Sequence, residues 1–553
     1  MVSFLTRGSQ QNDEDYDRHS VKEDNTHQQS ILYRVIRLFR PYGYSKILEQ
    51  TQKETPKSSR NESFLGNLVQ SKLWQTLIPI FNVLLPTFIS SQYSKNHPSY
   101  KLTSTSWLDG LRGIACFIVF IYHSTYCYFA SQREVFDGQK NHYFLQLPFI
   151  RVLHSGPPMV MVFFIISGFA LSYKSVTLMR KPVSYIDSHA LLSNIASSIW
   201  KRYFRLILPC MGTYVLVTFF VVAGWFETVP HGEKGRLRGV VDPRPPMIGS
   251  LYGQIEWAVA DFYKFAVPIT IFYDWSHFMW ETDSHLWTIP AEFQRSLTLF
   301  VTIAGLSHLK HRLRMRVFLP CFVLVAMYSG FWEYGLFVFG FFLAEIHTSF
   351  LATREEIAPL PLYSEAQRHN EASKILRTVA LAIVFTSGLY FCSYPEVAPD
   401  PDSTTGFTYL TTLTPPRYSN QNECRFWMGI GAMLLCFSIV FLPKIQSILC
   451  WKLFQYLGRI SFSLYLVHGT IIRSMGYAMV HWGWKQFGVS VLWQNDSVLD
   501  NVKDLENRRA LIVIVGFIIT IPVTVWIADI FWRVVDSPSV KFVKWLESKL
   551  VRS

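Results

Sequence analysis

Asp109, Arg112, His123, Glu292 and Arg295 stand in stretches that are otherwise suited to hydrocarbon. Trp107 to Tyr128 reads WLDGLRGIACFIVFIYHSTYCY, with Asp109 and Arg112 at its start and His123 eleven residues after the arginine. Eleven residues make about three helical turns, so Arg112 and His123 share one face, about 16 Å apart along the axis. Glu292 lies in LWTIPAEFQRSL, Leu286 to Leu297, near Arg295. A carboxylate in apolar surroundings either takes up a proton or needs a partner, here Arg295, His123 or a substrate hydroxyl. Taken singly, Asp109 reads as a helix cap, Arg112 as a snorkelling end residue, His123 as a satisfied core histidine and Glu292–Arg295 as a helix lock. Taken together, His123, Arg112 and Glu292 read as a proton-transfer site around a polar cavity.

Further polar residues recur at helical spacing. In KRYFRLILP, Lys201 to Pro209, Arg202 and Arg205 fall on nearly one face beside Lys201. Fixed guanidinium groups there suit phosphate or pyrophosphate oxygens, and ordinary positive flanking of a membrane span is the plain alternative. In YLGRISFSLYLVHG, Tyr456 to Gly469, Tyr465 and His468 are three apart and line either one cavity or a helix–helix contact. Ser167 and Gly168, in FFIISGFALSY, leave room for a substrate tail or a neighbouring helix. Walker, dinucleotide-binding, HExxH and GxSxG patterns are absent, and the eight cysteines lack metal-ligand spacing, so no metal is expected. Only Cys392 and Cys424, flanking one polar loop, suggest a disulfide.

The elements that must carry these residues are membrane helices. Half of the 553 residues are apolar and only 16% are charged, too few for the polar surface of a soluble protein of this size. The net charge of +13 is gathered in short clusters beside apolar runs, which fits an anionic leaflet and argues against nucleic acid. The expected fold is all-α, a polytopic bundle of about ten spans centred on 111–130, 157–173, 206–226, 286–306, 316–330, 331–347, 376–393, 426–443, 456–478 and 510–531. Residues 1–66 read as a disordered cytoplasmic tail, 67–104 as an interfacial or partly inserted segment, 105–540 as the membrane domain and 541–553 as a cytoplasmic tail.

Cytoplasmic termini place the basic clusters 174–205 and 308–316 inside, with Arg508 and Arg509 the exception. The same orientation puts the sequon at Asn495 on the lumenal or extracellular side, open to glycosylation, and leaves the one at Asn61 unmodified. The endoplasmic reticulum, Golgi or plasma membrane are the expected locations.

Six stretches in order, LDGLRG (Leu108 to Gly113), His123, FFIISGFALS (Phe163 to Ser172), KRYFRLILP, LWTIPAEF (Leu286 to Phe293) and LGRISFSLYLVH (Leu457 to His468), resemble the membrane-bound acyltransferase 3 family in its fungal form. The likeness covers about residues 105 to 540. It implies a ten-helix enzyme that transfers acetyl or related acyl groups from acyl-coenzyme A to a hydroxyl of a glycan, lipid or small metabolite. By the resemblance, Arg112 and His123 are the essential arginine and histidine, Glu292 the acid and Arg202 and Arg205 the basic helix start. Pro290 stands where many relatives have serine, and no esterase-like domain is appended. The expected mechanism brings coenzyme A phosphates to Lys201, Arg202, Arg205 and Arg112, with His123 as general base or transient acyl carrier; Asp109, Arg295, Tyr465 and His468 are further candidates for the cavity. A proton-coupled transporter of small metabolites, using the same His and Glu, is the competing reading.

Overall fold

The computed structural model describes residues 84–87, 102–138, 141–180, 185–227, 242–267, 281–357, 371–397, 405–418, 422–486 and 503–550. Among these, every regular element is helical. In chain order the main helices are α1 (Ser106–Thr125), α2 (Gly156–Met179), α3 (Tyr185–Val222), α4 (Leu251–Ala266), α5 (Thr288–Leu306), α6 (Leu319–Tyr328) and α7 (Trp332–Ile357). They continue with α8 (Glu371–Cys392), α9 (Glu423–Val440), α10 (Lys452–Ile471), α11 (Tyr477–Gln486), α12 (Lys503–Phe531) and α13 (Ser537–Leu550). The expected tail 1–66, the sequons at Asn61 and Asn495, and the side chains of Arg508 and Arg509 fall outside the described residues.

Among the described residues, six stretches are long and apolar enough to cross a membrane: Gly156–Met179, Ser188–Val222, Trp332–Leu351, Ile375–Cys392, Glu423–Val440 and Ala510–Leu550. The remaining expected spans at 111–130, 286–306 and 456–478 correspond to α1, α5 and α10, which are helical but less apolar. The cause is in their residues: Asp109, Arg112 and His123 in α1, Glu292, Gln294 and Arg295 in α5, and Lys452, Gln455, Arg459 and His468 in α10. Helices α1, α5 and α10, which carry His123, Glu292 and His468, are thus absent from the six. The expected span at 316–330 is the ten-residue α6, preceded by a π-helical turn at Arg314–Phe318.

The chain divides into two compact units, with boundaries inside α1 and α10. In the unit containing residues up to Ile114 and Lys444–Ile460, the glycines of LDGLRG allow close helix approach. A Cβ on Gly113 would collide with the backbone of Phe454 to Gly458, and one on Gly458 with the backbone of Asp109. Arg112 Nη2 donates to the Gly458 carbonyl at 2.6 Å and lies 3.3 Å from Asp109 Oδ1. Gln455 Nε2 donates to the carbonyls of Ser106 and Leu449.

In the second unit, α2 packs along α7 by a reciprocal glycine contact. A Cβ on Gly168 would strike the Phe337 backbone, and one on Gly340 the backbone of Ile165 and Phe169. Gly168 therefore serves a neighbouring helix, the usual role of small residues where membrane helices touch. Helices α8 and α9 meet in the same way through Gly388 and Gly431. Cys392 and Cys424 are both free thiols, so the suggested disulfide is absent; Cys392 is instead buried against Gly431 of α9. A buried network fixes the end of α7: Glu345 pairs with Arg314 at 2.6 Å, His311 at 2.9 Å and Arg180 at 3.3 Å.

Candidate active site

His123 occupies the last turn of α1, half-buried, and two other imidazoles close around it. One is His285, from the 3-10 turn Ser284–Trp287 that leads into α5; its ring centroid is 4.2 Å from that of His123. The other is His468 of α10, at 5.4 Å from His123 and 4.9 Å from His285. His285 and His468 are both fully enclosed.

The position of His285 is set by a carboxylate and a guanidinium. Asp283 caps the 3-10 turn, accepting from the His285 backbone N–H at 3.0 Å and from its Nδ1 at 2.7 Å. Arg473, in the π-helical turn after α10, holds the other Asp283 oxygen at 3.0 Å and donates to the carbonyls of Gly469, Thr282 and Pro243. Asp242 lies 3.4 Å from His285 Nε2, and that nitrogen is 3.1 Å from His123 Nδ1. Burial alone would lower the His285 pKa, but the two carboxylates outweigh it and push it up to about 10. Burial opposes ionisation of Asp242 and Asp283 too, yet His285, with Arg473 beside Asp283, holds both carboxyls well below their usual range. His285 is therefore an imidazolium at neutral pH, donating Nδ1–H to Asp283 and Nε2–H toward His123.

Gly469 makes this packing possible, because a Cβ there would lie 2.5 Å from His285 Nδ1 and 2.6 Å from Asp283 Oδ2. The Tyr465 hydroxyl contacts Thr288 Oγ1 at 2.6 Å and donates to the His285 carbonyl, joining α10 to α5. His123, Tyr465 and His468 thus meet in one place, as their spacing allowed. The residues that organise them, His285, Asp283, Asp242, Arg473 and Thr288, are not legible from apolar runs. His285 stands one position before the LWTIPAEF stretch and Asp283 two before that, a D-x-H spacing that is the available signal.

Glu292 has a different partner from those expected. It receives Arg202 Nη2 at 2.6 Å and the Ser167 hydroxyl at 2.5 Å, while Arg202 Nε donates to Ser296 at 2.6 Å. Arg295 turns instead to Glu333 at 3.9 Å. The reason is helical geometry: Glu292 is about two turns beyond His285, on the part of α5 that faces α2 and α3. Arg202 is turned inward and buried, and Lys201 pairs with Glu547 at 3.1 Å, so neither presents the free cation at a helix start that the sequence suggested. Arg205 is half-buried on α3.

Nitrogens of His123, His285 and His468 come within 4.8 Å of one another, close enough for a divalent metal to draw together.

Residues 105–533 match the family model described as an acyltransferase domain, acyltransferase 3 type. The chain belongs to the acyltransferase 3 family. The O-acetyltransferase PaAT-1 of Phomopsis amygdali is 29% identical over 533 residues, covering 92% of this chain and 96% of that protein. Acyltransferase R4 of a Phoma species is 28% identical over 416 residues, 69% of this chain and 86% of its own length. Acyltransferase clz18 of Cochliobolus lunatus is 27% identical over 482 residues, 79% and 95% respectively. No solved structure matches the chain. The protein is a membrane protein with an acyltransferase domain, and all three imidazoles of the cluster lie inside the matched region.

Proposed function

We propose that this acyltransferase 3 protein moves an acetyl or other short acyl group from acyl-coenzyme A to a hydroxyl of a sugar, lipid or small-molecule acceptor, with His123 at the reacting centre. The observation that carries the reading is the buried series Asp283–His285–His123, which aims a positioned imidazole into a half-buried site within the family's matched region. The printed name of the Phomopsis relative, an O-acetyltransferase, supports acetyl as the group and oxygen as its destination.

The chemistry requires three things of the protein. It must hold the thioester carbonyl against the attacking oxygen, stabilise the negative charge that develops on the carbonyl oxygen, and take the hydroxyl proton to an imidazole of the cluster. Direct transfer fits better than an acyl-histidine. His123 Nδ1 is occupied by His285, and Nε2 carries the ring proton while His285 is charged, so no lone pair on His123 is open for acylation.

Arg205 is the proposed contact of α3 for donor phosphates. Glu292 and Arg202 act together, their pair holding α5 in place. The protein is proposed to sit in the endoplasmic reticulum, Golgi or plasma membrane with both termini cytoplasmic.

The test is release of free thiol from acetyl-coenzyme A by the full-length protein in detergent. Release that depends on a hydroxyl acceptor and is lost in His123→Ala supports the reading. Movement of solute across vesicles without thioester consumption would replace it with the transporter.

A further inference from the structure

His468 completes the imidazole cluster, and its two nitrogens are in opposite situations. Nδ1 lies 2.6 Å from the Tyr465 carbonyl oxygen, one turn earlier in the same helix, so Nδ1 bears the proton and donates it there. Nε2, on the side of the ring away from that bond, is left as a lone-pair acceptor. It is buried and has no hydrogen-bond partner among the described residues. A buried acceptor left unmade is costly, and a hydroxyl donor arriving with substrate would satisfy it.

His123 is the complement. Its Nδ1 faces His285 Nε2, and His285 is clamped between Asp283 and Asp242 with Arg473 behind them. With Nδ1 accepting from His285, the ring proton of His123 is on Nε2. One imidazole of the cluster therefore offers a proton and another, its ring centroid 5.4 Å away, offers a lone pair.

We propose that His468 is the general base of the acyl transfer and that His123 is the hydrogen-bond donor to the thioester carbonyl oxygen. The assignment rests on the acyltransferase reading above, and it gives His468 the role that the sequence alone gives to His123. The acceptor oxygen bonds to the carbonyl carbon as its proton passes to His468 Nε2. The carbonyl electron pair moves onto oxygen, where it accepts from His123 Nε2–H. As the C=O bond re-forms, the C–S bond breaks and coenzyme A leaves as thiolate, which takes the proton back from His468 Nε2. Ester and free thiol are produced, and both imidazoles return to their starting forms. The positive charge of His285 strengthens the His123 donor, so the three histidines divide the work of polarising and deprotonating.

The experiment uses full-length protein in detergent, acetyl-coenzyme A as donor, and ethanol, 2-chloroethanol and 2,2,2-trifluoroethanol as acceptors of rising acidity. Loss of a general base matters most for the least acidic hydroxyl. His468→Gln is expected to lose about 100-fold of ethanol transfer, with the deficit shrinking along the series, whereas His123→Gln loses about the same factor with all three. Added imidazole is expected to restore His468→Gly, which serves if the glutamine variant does not fold. A His468→Gln deficit equal across the three alcohols, or a loss under about threefold, overturns the proposal. So does one equivalent of zinc in the wild type that is lost with His468, since that makes the ring a ligand. A wild type that consumes no thioester with any alcohol, or with a total lipid extract, overturns the acyltransferase reading itself.

Discussion

His285 Nε2 lies 3.1 Å from His123 Nδ1, while the other nitrogen of His285 is held 2.7 Å from Asp283. The relation gives the cluster a direction: the carboxylate keeps the proton on His285, and His285 decides which nitrogen of His123 is protonated. Asp283→Asn keeps a side chain able to accept from the His285 backbone but removes the charge. We expect kcat to fall by about 100-fold with little change in KM for acetyl-coenzyme A, because the substrate contacts are elsewhere. With the carboxylate gone, the His285 pKa drops, and since activity needs the charged ring, the alkaline limb of the pH–rate profile moves to lower pH. An unchanged limb would remove Asp283 from the relay.

Stability follows from the same groups. The folded pKa of His285 is raised from 6.5 to about 10, so its contribution is complete below 6.5 and is lost as pH rises through about 10. Asp242 and Asp283 are lowered from 3.8, so theirs is complete above 3.8 and is lost as pH falls below it. Facing His285 are Asp242, Asp283, His123, His468 and Arg473. The thermal midpoint in detergent should therefore decline as pH rises from about 6.5 toward 10. His285→Gln should flatten the alkaline decline, and a decline of unchanged slope would show that other groups carry it.

How much of this was readable beforehand differs between helices and site. The apolar runs at 157–173, 331–347, 376–393 and 426–443 announce α2, α7, α8 and α9 because those helices contain few charges. The sequence left Tyr465 and His468 open between one cavity and a helix–helix contact and did not tie them to His123; the fold brings the three rings together. The partner of Glu292 was not legible. Its nearest basic neighbour in sequence is Arg295, three positions on, but the reach of Arg202 from α3 wins because packing of α3 on α5 brings the guanidinium to 2.6 Å. His285 was missed because it sits in a short 3-10 turn, where no periodicity marks it, and Asp242 because a loop residue acquires meaning only from what the fold brings to it.

The Glu292–Arg202 pair separates a structural role from donor binding. Arg202 is 2% exposed and Glu292 17%, so removing one member leaves a charge largely out of water. Arg202→Met should cost about 3 kcal/mol, and Arg202→Met with Glu292→Gln should recover a large part of it. Measured in detergent by thermal unfolding, a double variant no better than the single would break the pairing argument. A stable Arg202→Met protein with KM for acetyl-coenzyme A raised about tenfold would return Arg202 to the phosphate-binding role.

Gly469→Ala tests whether the site depends on one missing methyl group. In a helix interior alanine is favoured over glycine by about 1 kcal/mol, so on propensity alone the change should stabilise α10. Its Cβ, however, would lie 2.5 Å from His285 Nδ1 and 2.6 Å from Asp283 Oδ2, both tied down by hydrogen bonds and by Arg473, so neither can yield without breaking the series. Gly305 in α5 is the control, since nothing lies within 4 Å of a Cβ placed there. Gly305→Ala should raise the thermal midpoint slightly and leave turnover unchanged, while Gly469→Ala should lower both the midpoint and kcat, the latter by about 100-fold if His123 is left without its partner. Equal behaviour of the two alanines would mean that the tight fit of His285 and Asp283 against α10 has no part in catalysis.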